Sequence, residues 1–95
     1  MPGYPSALYF LGLLADQNGR HEEAIANYQL AVTSSGRTAK YLRALGAAYA
    51  KLGRMSEAQA LLDELRKLSA TRYVDPQYVT SIEALISSQQ VKIRH

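Results

Sequence analysis

His21 and Glu22, in the stretch NGRHEEAIANY (18–28), open the H-E-x-x-H pattern of zinc hydrolases. That pattern puts two histidines on one helical face to hold the metal, with the glutamate activating water. Here the place of the second histidine is taken by Ile25. Zinc needs at least three protein ligands, and His95 is the only other histidine in a chain without cysteine. No metal ligand is assigned. Ser34 and Ser35 fall in a turn signal with no histidine beside them to serve as base. Asp63 and Glu64 stand one helical turn before Lys67, the spacing of an ordinary solvated ion pair. The NGR turn lacks the spaced glycines and the Lys-Ser/Thr pair of a phosphate loop. The residues thus assign no catalytic role and no cofactor, and the chain reads as a non-enzyme.

Cations suggest a second chemistry. Lys40, Arg43 and Lys51 share one helical segment, and Tyr9 lies on the segment before it. A basic groove with an aromatic can stack a nucleic-acid base. A net charge of +3, with acidic residues interspersed among the basic ones, is not a dense nucleic-acid footprint, so this is the weaker reading. The 95 residues allow one small domain, and 47% hydrophobic residues place it among globular chains. The lack of cysteine fits a reducing compartment, and a cytoplasmic location is expected. No apolar run reaches the ~18 residues of a membrane span, and the N-terminal segment lacks the basic start of a signal peptide.

The elements that must position these residues follow a period of 34. Aligning 5–38 with 39–72 gives nine identities: Leu8/Leu42, Leu11/Leu45, Gly12/Gly46, Gly19/Gly53, Arg20/Arg54, Glu23/Glu57, Ala24/Ala58, Ala26/Ala60 and Ser35/Ser69. Roughly two are expected from composition alone. Each unit holds two helical patterns with a glycine between them, at 19 and at 53. Glu22 and Glu23 fall in the first turn of a helix, where negative charge favours the dipole. The glycines at 12 and 46 lie inside helices, where each costs about 1 kcal/mol relative to alanine. Their recurrence predicts a notch in each hairpin, filled by Ala24 or Ala58.

Leu11-Gly12, Gly19, Ala24, Tyr28 and Ala31, then Leu45-Gly46, Tyr49, Gly53, Ala58 and Leu62, resemble the tetratricopeptide repeat over residues 5–72. Leu8 and Leu42 stand where that family often has tryptophan, Ala15 where it has tyrosine, and Gly36 and Ala70 where it has proline. The resemblance implies an all-α fold: two antiparallel helical hairpins (5–38 and 39–72) and a capping helix, five helices in a short right-handed solenoid. The chain is then one domain over 1–95. Asp75-Pro76 marks the start of the cap. Tyr78, Val79, Ile82, Leu85 and Ile86 form its apolar side, while Thr80, Glu83 and Ser87 are polar where a following helix would pack. The cap is expected to span 73–90, with 91–95 a loose tail. Residues 52–86 also look like a bacterial variant of the repeat near the C-termini of larger signalling proteins, so the chain is expected to be a piece of one.

By the same resemblance the first helices line a concave face that binds a peptide or helix of a protein partner. Its lining would be Tyr9, Leu13, Asp16, Gln17, Lys40, Arg43, Ala47, Ala50, Lys51, Gln77 and Ser81, with Arg43 placed to grip a carboxylate. Relatives that clamp a C-terminal carboxylate use paired Lys and Asn; Tyr9, Leu13 and Ala44 hold those places here, so that clamp is not expected. Phe10 and Leu14 lie where a preceding repeat would pack. They predict a second surface, for self-association as a homodimer or for a covering partner.

Overall fold

A computed structural model describes residues 4–94 of the chain, with side chains as far as Gln89. Five helices follow one another: α1 (Pro5–Gln17), α2 (His21–Ser34), α3 (Ala39–Lys51), α4 (Met55–Thr71) and α5 (Pro76–Arg94). No strand occurs among the described residues. None of their helices is long and apolar enough to cross a membrane. α1 and α3 begin 34 residues apart, as do α2 and α4. The periodicity in the sequence is therefore a periodicity of structure.

Local chemistry sets these boundaries. Gly19 (φ 77°) and Gly53 (φ 78°) take the left-handed conformation that ends α1 and α3. The following amides then turn back: Arg20 N–H donates to Ala15 O at 2.8 Å, and Arg54 N–H to Tyr49 O at 2.9 Å. Glu22 and Glu23 open α2, and Glu57 opens α4, each favourable against the positive end of the helix dipole. α5 starts as the Asp-Pro signal predicts. Asp75 Oδ1 accepts the Gln77 N–H at 3.0 Å, and Pro76 is the first helical residue.

The hairpins pack in sequence order, and α3 touches α2, α4 and α5. It is accordingly buried on most sides, with Leu42 and every residue from Ala44 to Ala50 out of solvent. The whole measures 46 × 35 × 18 Å. Its thinnest dimension is that of two helices packed face to face, at interaxial distances of roughly 8–10 Å.

The glycine notches are filled differently from expectation. A Cβ on Gly12 would overlap the ring of Tyr28, and one on Gly46 would lie 2.9 Å from Ile82 Cδ1 and 3.5 Å from Leu61 Cβ. Ala24 and Ala58 are buried, but the notches are occupied by longer side chains. Tyr28, one turn beyond Ala24, reaches over Gly12. Its counterpart Leu62 is shorter, and Ile82 from α5 closes the space above Gly46.

Two further expectations change. Helix α5 continues to Arg94, where a loose tail had been expected from 91; His95 lies outside the described residues. No glycine or proline interrupts the chain after Pro76, and Gln89 Nε2 donates to Lys51 O at 3.3 Å, tying the late turns of α5 to α3. Neither Asp63 nor Glu64 has its ion pair with Lys67. Glu64 takes two hydrogen bonds from Arg37, at 2.6 and 2.7 Å, from the turn after α2. Asp63 lies 3.6 Å from Arg66. Arg66 also pairs with Glu83 of α5, so the polar outer position of the cap is held by charge.

Candidate functional site

The first helices α1, α3 and α5 stand side by side, and their side chains meet along one face. Tyr9 of α1 has its ring 5.6 Å from that of Tyr41 on α3 and 5.9 Å from that of Tyr28 on α2. The Lys40 ammonium sits 5.1 Å from the Tyr9 ring centre and 5.9 Å from that of Tyr41. Arg43, half-buried, donates to the Tyr9 hydroxyl at 3.3 Å, and its guanidinium carbon lies 5.8 Å from the Tyr78 ring centre on α5. Beside it opens a hollow of 240 Å³ lined by Arg43, Gln77, Tyr78 and Ser81. At the other end of the face, Lys51 approaches Asp16 at 3.7 Å.

These distances bring together Tyr9, Arg43 and Lys40 at the centre, with Gln77 and Ser81 around the hollow. Leu13 is half-buried on α1, and Gln17 and Lys51 are exposed at its far end. Ala47 and Ala50 were expected in the lining, but they are 9% and 0% exposed. Their small side chains let the helices around α3 close over them. Tyr78 was expected only on the apolar side of the cap, yet it and Tyr41 are half-buried and border the cations. The signal for them is residue type: a tyrosine at an inward position needs its hydroxyl to reach water or a partner.

The electrostatics are one-sided. Among the described residues neither Lys40 nor Arg43 forms an ion pair. The carboxylate of Asp16 on this face is engaged, by Lys51 and by His21 Nδ1 at 2.8 Å. Burial pushes the Tyr28 hydroxyl up to about 12, the charges of Asp16 and Tyr9 adding to the effect and Arg43 opposing it. The ring under the face therefore stays neutral at ordinary pH.

The His21–Asp16 contact has the form of a base and its orienting acid. What it does here is close the α1–α2 turn. The hydroxyls of Ser34 and Ser35 donate to the carbonyls of Leu30 and Val32 at 2.7 and 3.1 Å, so they are spent on the end of α2. Among the described residues no group of three or more His, Cys, Asp or Glu could hold a metal ion.

Residues 5–37 match the family model described as "Tetratricopeptide repeat". No curated protein and no solved structure matches the chain. The matched segment is the α1–α2 hairpin with its closing turn, and α3–α4 sets the same hairpin down again 34 residues later. Repeats of this kind are in general scaffolds for protein partners, and on that match residues 5–37 form a tetratricopeptide repeat.

Proposed function

We propose that this protein-interaction module holds an acidic segment of a partner protein across the α1–α3–α5 face, with Arg43 as its anchor. The observation that carries this reading is the state of Arg43. Its guanidinium is oriented by the Tyr9 hydroxyl and the Tyr78 ring, has no carboxylate partner among the described residues, and borders the hollow beside Gln77 and Ser81. A planar guanidinium of this kind grips a carboxylate through two parallel hydrogen bonds. Lys40, beside the Tyr9 ring, extends the positive charge along the face, while Lys51 is engaged by Asp16 at its far end and Leu13 offers an apolar contact. Three first helices make a short platform, so the module works as part of a larger assembly, with neighbouring surfaces adding affinity.

Tyr9 bears on the RNA alternative. Its ring is flanked by Tyr28, Tyr41 and Lys40, which leaves little free π-surface for a base. Peptide arrays followed by calorimetry test the reading. Acidic peptides should bind, with affinity falling about tenfold or more in Arg43→Glu and less in Arg43→Lys, which keeps charge but loses the fork. Equal affinity in Arg43→Glu would remove Arg43 as anchor. Binding of single-stranded RNA with a steep salt slope, and of no peptide, would replace the reading with the nucleic-acid one.

A further inference from the structure

We propose, resting on the groove reading above, that the charge on His21 sets how tightly the α1–α3–α5 face holds an acidic segment, because it releases Lys51 from Asp16. Three helices meet at this carboxylate. One oxygen of Asp16, on α1, takes His21 Nδ1 of α2 at 2.8 Å, and the other faces Lys51 Nζ of α3 at 3.7 Å. The Asp16 side chain is 17% exposed and that of Lys51 51%. Lys51 has the longer contact and already stands half in water. It also lies eight residues beyond Arg43 on the same helix, about 12 Å at 1.5 Å per residue, within the span of one bound segment.

The fold does not require this trio. In the second hairpin the places of Asp16, His21 and Lys51 are held by Ala50, Met55 and Leu85. The turn there is nevertheless the same: Gly53 repeats the left-handed backbone of Gly19, and Arg54 N–H returns to Tyr49 O as Arg20 N–H returns to Ala15 O. An uncharged set closes one turn as well as a charged set closes the other. The charge at the first turn is therefore free to serve the face beside it.

Histidine changes charge between pH 5 and 8. While the imidazole is neutral, Asp16 offers Lys51 a whole negative charge. Once the imidazole is cationic, two cations share that charge, and Lys51, the longer and wetter contact, is the one that leaves. The surrounding charges do not take over either role. Glu22 pairs with Arg54 at 3.1 Å and Glu23 with Arg20 at 4.0 Å, and Arg54 also holds Glu57. Tyr28, beside the same carboxylate, stays neutral at ordinary pH, and α5 contributes the uncharged Gln89 amide at the Lys51 carbonyl. A released Lys51 adds a second cation to the groove anchored by Arg43, so mild acid tightens binding.

Calorimetry at low salt with a blocked hexaglutamate peptide tests this, since the probe has no histidine and stays largely ionised at about pH 5.5. Its affinity should be about two- to fivefold higher at about pH 5.5 than at about pH 8, the size of one exposed ion pair. The gain should vanish in His21→Met, which copies the residue at 55, and in Lys51→Met; circular dichroism verifies that both keep their helices. Equal affinity at the two pH values, or a gain that survives His21→Met, would overturn the switch and leave Arg43 in place as anchor. No binding at either pH would remove the groove reading and the switch with it. In the free protein, the NMR signals of the Lys51 side chain should shift with the midpoint of the His21 ring. Signals that stay flat through that midpoint would overturn the switch without reference to any peptide.

Discussion

Gly12 and Gly46 hold the same place in successive hairpins but face different neighbours, and the difference is measurable. Replacing a helical glycine by alanine gains about 1 kcal/mol of helix propensity. At Gly12 the new methyl meets the buried Tyr28 ring, and overpacking of this kind costs about 1–3 kcal/mol. At Gly46 it meets the end carbon of Ile82 at 2.9 Å, a milder overlap than with the Tyr28 ring. Gly12→Ala should therefore lower the urea midpoint, while Gly46→Ala should leave it unchanged or raise it slightly; equal shifts would show that Tyr28 is not the constraint. Tyr28 also predicts an alkaline limb. Unfolded tyrosine ionises near pH 10, whereas in the fold this hydroxyl is pushed up to about 12. Its contribution is fully present below pH 10 and is lost as pH rises towards 12, because the unfolded chain releases the proton first. Urea titrations at stepped pH should show a shallower decline in Tyr28→Phe, and an identical slope would count against the assignment. The glycines themselves were legible in the sequence. What fills their notches was not, because that depends on the reach of Tyr28 against Leu62 and on a contact from a distant helix.

Between elements, the turn after α2 is fastened to α4 by one side chain. Arg37 takes a left-handed backbone (φ 63°), which costs a non-glycine residue roughly 1–2 kcal/mol. Its fork on Glu64 offsets part of this, and hydrogen bonding from Arg37 holds the Glu64 carboxyl below the usual carboxylate range. A double-mutant cycle of Arg37→Ala and Glu64→Ala should give a coupling of about 0.5–1 kcal/mol, reduced by added salt, as for a partly exposed pair. Zero coupling at low salt would make the contact incidental. Helix boundaries in α1 to α4 could be read from sequence because glycine turns and acidic first turns are local signals. The end of α5 could not. No breaker residue marks it, and the Gln89 contact with the Lys51 carbonyl that ties it down is tertiary.

For the molecule as a whole, α1 has one side turned to its neighbours and one exposed. Tyr9 belongs to the face shared with α3 and α5, and Phe10, about 100° further round the helix, to the exposed one. The period and the family-like small residues made the five-helix plan legible, and with it Tyr9, Lys40, Arg43 and Gln77. Ala47 and Ala50 misled because helical spacing gives direction but not depth. Only the packing of α3 against three neighbours decides that they are covered.

The gathering of Tyr9, Tyr28, Tyr41 and Tyr78 on or beneath the groove has an optical consequence. The chain contains seven tyrosines and no tryptophan, so its near-ultraviolet absorption and emission come almost wholly from phenol rings. Four of those chromophores lie at or just under the face that Arg43 anchors. A bound segment would change their polarity and quenching, and the groove carries its own label.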